Sequence, residues 1–168
     1  MTLTIRAERA GDASAITEVV GEAFAGHPHS RQTEPFVVAA LRREGVLTIS
    51  LVAESDGEMI GHIAFSPVSI SGKISHFHAL GPLAVSPPRQ RQGAGQALVR
   101  AGLEALCNAG SRGCVVVGDA AYYRRFGFTH HPDCTVPGIP PEYVLALSFD
   151  GAPVIGDIAH HPAFRAEQ

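Results

Sequence analysis

The sequence predicts a mixed α/β (α+β) fold, and three observations carry that prediction. Two apolar-rich runs, 47–54 and 58–69, flank Ser55-Asp56-Gly57, a strong antiparallel hairpin signal. Segments 12–25 and 93–109 repeat apolar residues at helical spacing. The second of these lies between apolar runs at 74–85 and 114–117, a strand–helix–strand order. A chain of 168 residues is expected to form one domain, 1–168.

The elements follow in order. Leu3–Glu8 alternates apolar and polar residues and reads as a first strand. Gly11-Asp12 opens a helix whose buried face is Ala15, Ile16, Val19, Val20 and Ala23. His27-Pro28-His29 breaks it. Pro35 suits the first turn of a second helix, which Gly45 ends. The hairpin strands come next, then a turn at Ser71-Gly72-Lys73 and a third run from Ile74 to Val85. Pro82 cannot donate to a sheet ladder, so a bulge or an unpaired, splayed position is expected there. In the helix over 93–109, Ala94, Ala97, Leu98, Ala101, Ala105 and Leu106 form the apolar stripe and Gly110 closes the end. Cys114–Val117 reads as a strand buried on both faces. Ala120–Arg125 reads as one or two helical turns, and Phe126–His131 and Tyr143–Phe149 as the last strands. The core is expected over about 3–149, with an irregular, Pro- and Gly-punctuated tail from 150 to 168.

Composition narrows the function. Hydrophobic residues make up 45% and charged residues only 17% of the chain, and the formal net charge is −3. That balance argues against a general nucleic-acid binder, so any anion site must be local. No apolar stretch approaches the ~20 residues that span a bilayer, so no membrane partner is expected. Cys107, Cys114 and Cys134 are odd in number and lack metal-ligand spacing; with no signal-like N-terminus, a reducing, cytoplasmic setting is expected. The paired histidines at 27/29, 76/78, 130/131 and 160/161 are joined by no zinc signature, so no metal site is predicted.

The most informative segment is Leu83-Ala84-Val85-Ser86-Pro87-Pro88-Arg89-Gln90-Arg91-Gln92-Gly93-Ala94-Gly95-Gln96. A strand ends, prolines stop it, and two glycines lead into a helix. Such a turn offers bare helix N-terminal amides to an anion such as a pyrophosphate. It is not a dinucleotide fingerprint, because Leu98 stands where a third small residue is required. It is not a P-loop, because Gly-Lys-Ser/Thr is absent.

Gln90-x-x-Gly93-x-Gly95 after Leu83-x-Val85 resembles the acetyl-CoA motif of the GNAT superfamily of N-acetyltransferases. Tyr122-Tyr123-Arg124-Arg125-Phe126-Gly127-Phe128 resembles its second motif, one helix and one strand downstream. Together with Gly118-Asp119 these residues are similar to a bacterial branch of N-acetyltransferases. The resemblance implies a central, mostly antiparallel twisted sheet, splayed between two parallel strands and flanked by helices. It implies that acetyl-CoA is the co-substrate and an amine the acceptor, and it allows a homodimer. Main-chain amides from Gln92 through Gly93, Ala94 and Gly95 to Gln96 would hold the pyrophosphate, with Gln90 and Arg91 beside them. The pantetheine arm would pair with Leu83, Ala84 and Val85, and a backbone N–H near Leu83 would face the developing oxyanion. Tyr122 and Asp119 would contact the cofactor. Tyr123 would be the general acid: a phenol of pKa about 10 stays protonated at neutral pH.

The base stays open at this stage. His78, two residues from His76 on the strand leading to Leu83, is the better-placed candidate; Glu22 and a water chain are others. The loop around Phe24–Pro35 is expected to shape acceptor choice. A non-catalytic acyl-CoA-binding or sensing module, and an acyltransferase using a different acyl-CoA, are the alternative readings.

Overall fold

A two-residue turn organises the centre of the chain. In the computed structural model, which describes residues 2–168, Asp56 (φ 53°) and Gly57 (φ 81°) are both left-handed, and Ser55 pairs with Glu58. That is the turn geometry matching the twist of a tight hairpin. It joins β2 (Ile49–Ser55) to β3 (Glu58–Ile70). Ser71 and Gly72 make a second such turn into β4 (Lys73–Val85). With β1 (Leu3–Ala7) on β2, these four strands form an antiparallel meander.

Two helices, α1 (Ala13–Phe24) and α2 (Glu34–Arg43), lie between β1 and β2 in the chain. Helix α3 (Ala94–Asn108) follows β4 and returns the chain to β5 (Gly113–Val117), which pairs parallel to β4. The short α4 (Ala120–Tyr123) precedes β6 (Cys134–Thr135), β7 (Val144–Ser148) and β8 (Gly156–His160). The main sheet runs β1-β2-β3-β4-β5-β7, and every contact in it is antiparallel except β4–β5.

Helix α3 covers one face of the sheet. Leu98, Val99 and Leu106 pack there with Phe65, Cys114, Phe128 and Leu145, all fully buried. Gly61 is required for this approach, since a Cβ would stand 3.0 Å from both Leu98 and the Ala84 carbonyl. Helices α1 and α2 cover the other face, where Ile16, Val19, Val20 and Val38 pack on Val52 and Ala84.

Two expectations need correcting. Phe126–His131 is not a strand. Gly127 turns left-handed (φ 97°) after a 3-10 turn at Arg124–Phe126, and only an isolated bridge, Thr129 to Ala146, remains. The tail is not irregular. β8 pairs with the far end of β3, from Val68 to Ile70, where β2 has already ended. Beyond it a 3-10 turn, Pro162–Arg165, seats Ala163 and Phe164 against Val37 and Leu41 of α2. The core therefore extends past residue 149.

One feature of the sheet positions the site. β4 and β5 pair only from Phe77 to Ala79 and from Gly113 to Val115. Beyond that point β5 stays with β7, and β4 stays with β3 through Val85. The expected irregularity at Pro82 is present: the register to β3 shifts around Gly81-Pro82, so that two residues of β4 oppose Ala64. The two parallel strands diverge, and β4 presents an edge from Leu80 to Val85 with no partner strand among the described residues.

Candidate active site

The free edge of β4 runs directly into the glycine turn. Pro87–Arg89 forms one 3-10 turn, Gln90 is extended, and Arg91 (φ 62°) and Gly93 (φ 95°) are left-handed. Gly93 is the residue before α3, and no side chain caps that helix. The first turn of an α-helix leaves its N–H groups without intrahelical partners, and here they meet none from a capping side chain. Two amide side chains hold the turn shut from outside. Gln90 Nε2 donates to the Val85 carbonyl at 3.0 Å, and Gln92 Nε2 donates to the Pro88 carbonyl at 3.2 Å.

A cleft of about 510 Å³ opens over this turn. Leu83 and Val85 form its β4 wall. Gln90, Arg91, Gly93, Gly95 and Gln96 form its floor. Tyr122 and Arg125 close the opposite side. Gly95 is a point of close approach in this lining. A Cβ there would lie 2.9 Å from the Tyr122 hydroxyl and 3.7 Å from Val85 Cγ2, on the lining of the cleft. Glycine lets the Tyr122 hydroxyl approach the first turn of α3.

The structure places the other sequence candidates as follows. Ala84 is buried against α1 on the far face, so only its backbone belongs to the edge. Gln92 serves the turn, and the Ala94 methyl is buried on the core-facing side of α3. Asp119 does not line the cleft; its carboxylate caps α4 by accepting from the Ala121 N–H at 2.9 Å. Tyr123 lies beside the cleft rather than on its wall. Its ring packs edge-on to Tyr122 and Phe128 and lies flush on Gly118, where a Cβ would be 2.6 Å from the ring. Burial pushes its phenol well above the usual range, so it holds its proton throughout the physiological range.

His78 is not brought to the cleft. It lines a second hollow, about 300 Å³, shared with His76, His160 and His161. Its Nδ1 lies 2.7 Å from the Ser111 hydroxyl, and burial lowers its pKa. The strand rises about 3.3 Å per residue, so the five residues from His78 to Leu83 separate the two by roughly 16 Å. His76 also leaves the strand pattern, with φ 61°, so the expected shared face does not hold. Glu22 is exposed on α1.

Sequence reasoning missed Arg125. The signal was present: Arg125 follows Tyr122 by three residues, the spacing that brings side chains together on one helical face. Its guanidinium stacks over the Tyr122 ring at 4.9 Å, and its Nε donates to the Tyr122 carbonyl at 2.9 Å.

A third polar cluster lies under α2. His62, fully buried, meets the Ser50 hydroxyl at 2.8 Å through Nε2. Ser50 donates to Glu8 at 2.8 Å, and Glu8 pairs with Arg42. His62 Nδ1 has no hydrogen-bond partner among the described residues. Burial lowers the His62 pKa to about 4, so the ring is neutral near pH 7. Among the described residues, no group of three or more His, Cys, Asp or Glu is placed to share a metal ion. No helix among them is long and apolar enough to cross a membrane.

Comparisons with known proteins agree with this fold. Residues 47–130 match the family model described as an acetyltransferase (GNAT) domain. The chain is 35% identical to the N-acetyltransferase YhbS of Escherichia coli K12, over 96% of this chain and 98% of that one. A GNAT family acetyltransferase from Brucella melitensis, solved in complex with acetyl-CoA, superposes with a TM-score of 0.87. It is 45% identical and covers 97% of this chain and 98% of its own. The structure of E. coli YhbS in complex with CoA also superposes at 0.87, with 34% identity over 97% of this chain and 92% of that one.

Proposed function

The chain belongs to the GNAT acetyltransferase family, and from that premise we propose that it is a single-domain N-acetyltransferase. It moves the acetyl group of acetyl-CoA to a primary amine of a small molecule or peptide by direct attack, with Tyr123 as general acid. The observation that carries this reading is the uncapped N-terminus of α3, opening on a cleft whose other wall is the free edge of β4.

Each part of the chain has a task in this reaction. The amides from Gln92 to Gln96, with Arg91, hold the pyrophosphate through charge-assisted hydrogen bonds. The edge from Leu83 to Val85 pairs with the amide-bearing arm as an added strand pairs with a sheet. A main-chain N–H near Leu83 polarises the thioester carbonyl; such a donor contributes about 3–4 kcal/mol to the transition state. Tyr123, kept protonated by burial, donates to the departing thiolate. A thiolate is a fair leaving group, so a partial proton transfer suffices. His78 is given no part as base, because its ring lies in the second hollow. The amine's proton leaves through water in this scheme.

A reducing, cytoplasmic setting belongs to the same reading and is supported by three unpaired cysteines. The test is thiol release from acetyl-CoA across a panel of primary amines. Amine-dependent release supports the enzyme. CoA binding with no release for any amine supports the alternative, a sensing module. Release only from longer acyl-CoAs would reassign the donor.

A further inference from the structure

Arginine side chains on a protein surface normally lose entropy when they are held for a ligand. Arg125 is already held. Its Nε donates to the Tyr122 carbonyl at 2.9 Å and its plane stacks over the Tyr122 ring at 4.9 Å. Those contacts occupy Nε and one face of the guanidinium, and the two terminal nitrogens are not used by them, on a residue that lines the cleft. Arg89 has an acidic neighbour, Glu58, at 3.8 Å, whereas among the described residues no carboxylate pairs with Arg91 or Arg125. Among the described residues, these two guanidiniums are the charged side chains that line the cleft, and no acidic residue lines it.

They sit on different walls. Arg91 belongs to the turn whose amides face the pyrophosphate, so its charge acts there. Arg125 comes from the 3-10 turn after α4 and stacks on the ring of Tyr122, whose hydroxyl overhangs Gly95. A donor bearing only a diphosphate needs one cationic wall. CoA carries one more anionic group, the phosphate on its ribose.

Building on the acetyl-CoA reading above, we propose that Arg125 recognises the ribose 3′-phosphate and makes this enzyme selective for thioesters carried on a 3′-phosphorylated nucleotide. Thioesters on dephospho-CoA or on a bare phosphopantetheine arm are then poor donors. A fork already immobilised by Tyr122 binds phosphate with little further ordering cost, which is why this arginine rather than a free surface one serves.

Calorimetry with CoA and with 3′-dephospho-CoA, on the native protein and on Arg125→Gln, tests this. The native protein is expected to bind CoA about tenfold or more tightly than dephospho-CoA, the size of one solvent-facing charge-assisted phosphate contact. In Arg125→Gln that ratio is expected to fall to about two or less, with dephospho-CoA affinity nearly unchanged. A ratio that stays the same in the variant overturns the proposal, as does a native protein that binds both equally. An arginine that merely steadies Tyr122 would weaken both nucleotides alike and leave the ratio intact, which also overturns it. Failure of the native protein to bind either nucleotide would instead sink the acetyl-CoA reading itself.

Discussion

Replacing Gly95 by alanine separates binding from folding. Gly95 is the second residue of α3, with ordinary helical geometry, so alanine meets no backbone penalty there. The new methyl would lie 2.9 Å from the Tyr122 hydroxyl and 3.7 Å from Val85 Cγ2. The first contact is with the far end of a half-exposed side chain and is relieved by a shift of a few tenths of an ångström. Alanine also favours a helix over glycine by up to about 1 kcal/mol. Stability should therefore hold or rise, by at most about 3 °C in Tm for a chain of this size. Binding should not hold. On the proposed reading, a methyl on this cleft-lining residue crowds a phosphate drawn to the amides. Losing one charge-assisted amide–phosphate bond costs about 1.5–3 kcal/mol, which weakens CoA roughly 10- to 100-fold. Thermal melting and calorimetry on Gly95→Ala check both halves. An affinity within twofold of native, on a protein that melts normally, would refute the pyrophosphate assignment. A fall in melting temperature that accompanies the loss of binding would show that the glycine serves the fold.

Other outcomes follow from the same geometry. Tyr123→Phe keeps the ring that packs on Phe128 and Gly118; turnover should drop about tenfold or more, while the acetyl-CoA KM and Tm stay level. Equal turnover in steady-state kinetics would remove Tyr123 from the acid role. His62 is neutral in the folded protein, with a pKa lowered from 6.5 to about 4. The unfolded chain takes up a proton below pH 6.5 and the folded chain does not, so stability is complete above that value and is lost as pH falls toward 4. The full loss is about 3 kcal/mol at 1.36 kcal/mol per pH unit. Urea unfolding between pH 7 and 4.5 should show this slope, and His62→Gln should reduce it, the remainder coming from His78 and His160, whose pKa values burial also lowers. Gly102→Ala should cost about 1–2 kcal/mol, because its Cβ would stand 2.4 Å from the buried Phe65 ring. Thermal melting should fall by several degrees.

Much of this molecule is written locally. Asp56-Gly57 specifies its turn through left-handed backbone, Pro82 announces a break in the ladder, and the apolar stripe of α3 identifies the helix under which the sheet packs. The motif residues that line the cleft were legible for the same reason: strand end, glycine turn and helix start are consecutive in the chain. What escaped depends on distant partners. β8 is five residues with little apolar content, and it is a strand because β3 outruns β2 and leaves Val68–Ile70 to be paired. Phe126–His131 has strand-like residues, but Gly127 turns the chain and the segment keeps a single bridge. Asp119 is expected as a cofactor contact from its motif alone; its capping bond to α4 depends on the local turn, and it lies outside the lining of the cleft. His78 was placed correctly on its strand, yet alternation says nothing of how far along that strand the reacting atoms lie.

The central claim is that α3's open amides and the unpartnered edge of β4 together receive acetyl-CoA. A crystal structure of the protein with CoA tests it most directly. Phosphate oxygens should lie about 3 Å from main-chain nitrogens between Gln92 and Gln96, with the pantetheine amides bonded along Leu83–Val85. CoA bound elsewhere, or diphosphate held by side chains alone while those amides face water, would contradict it.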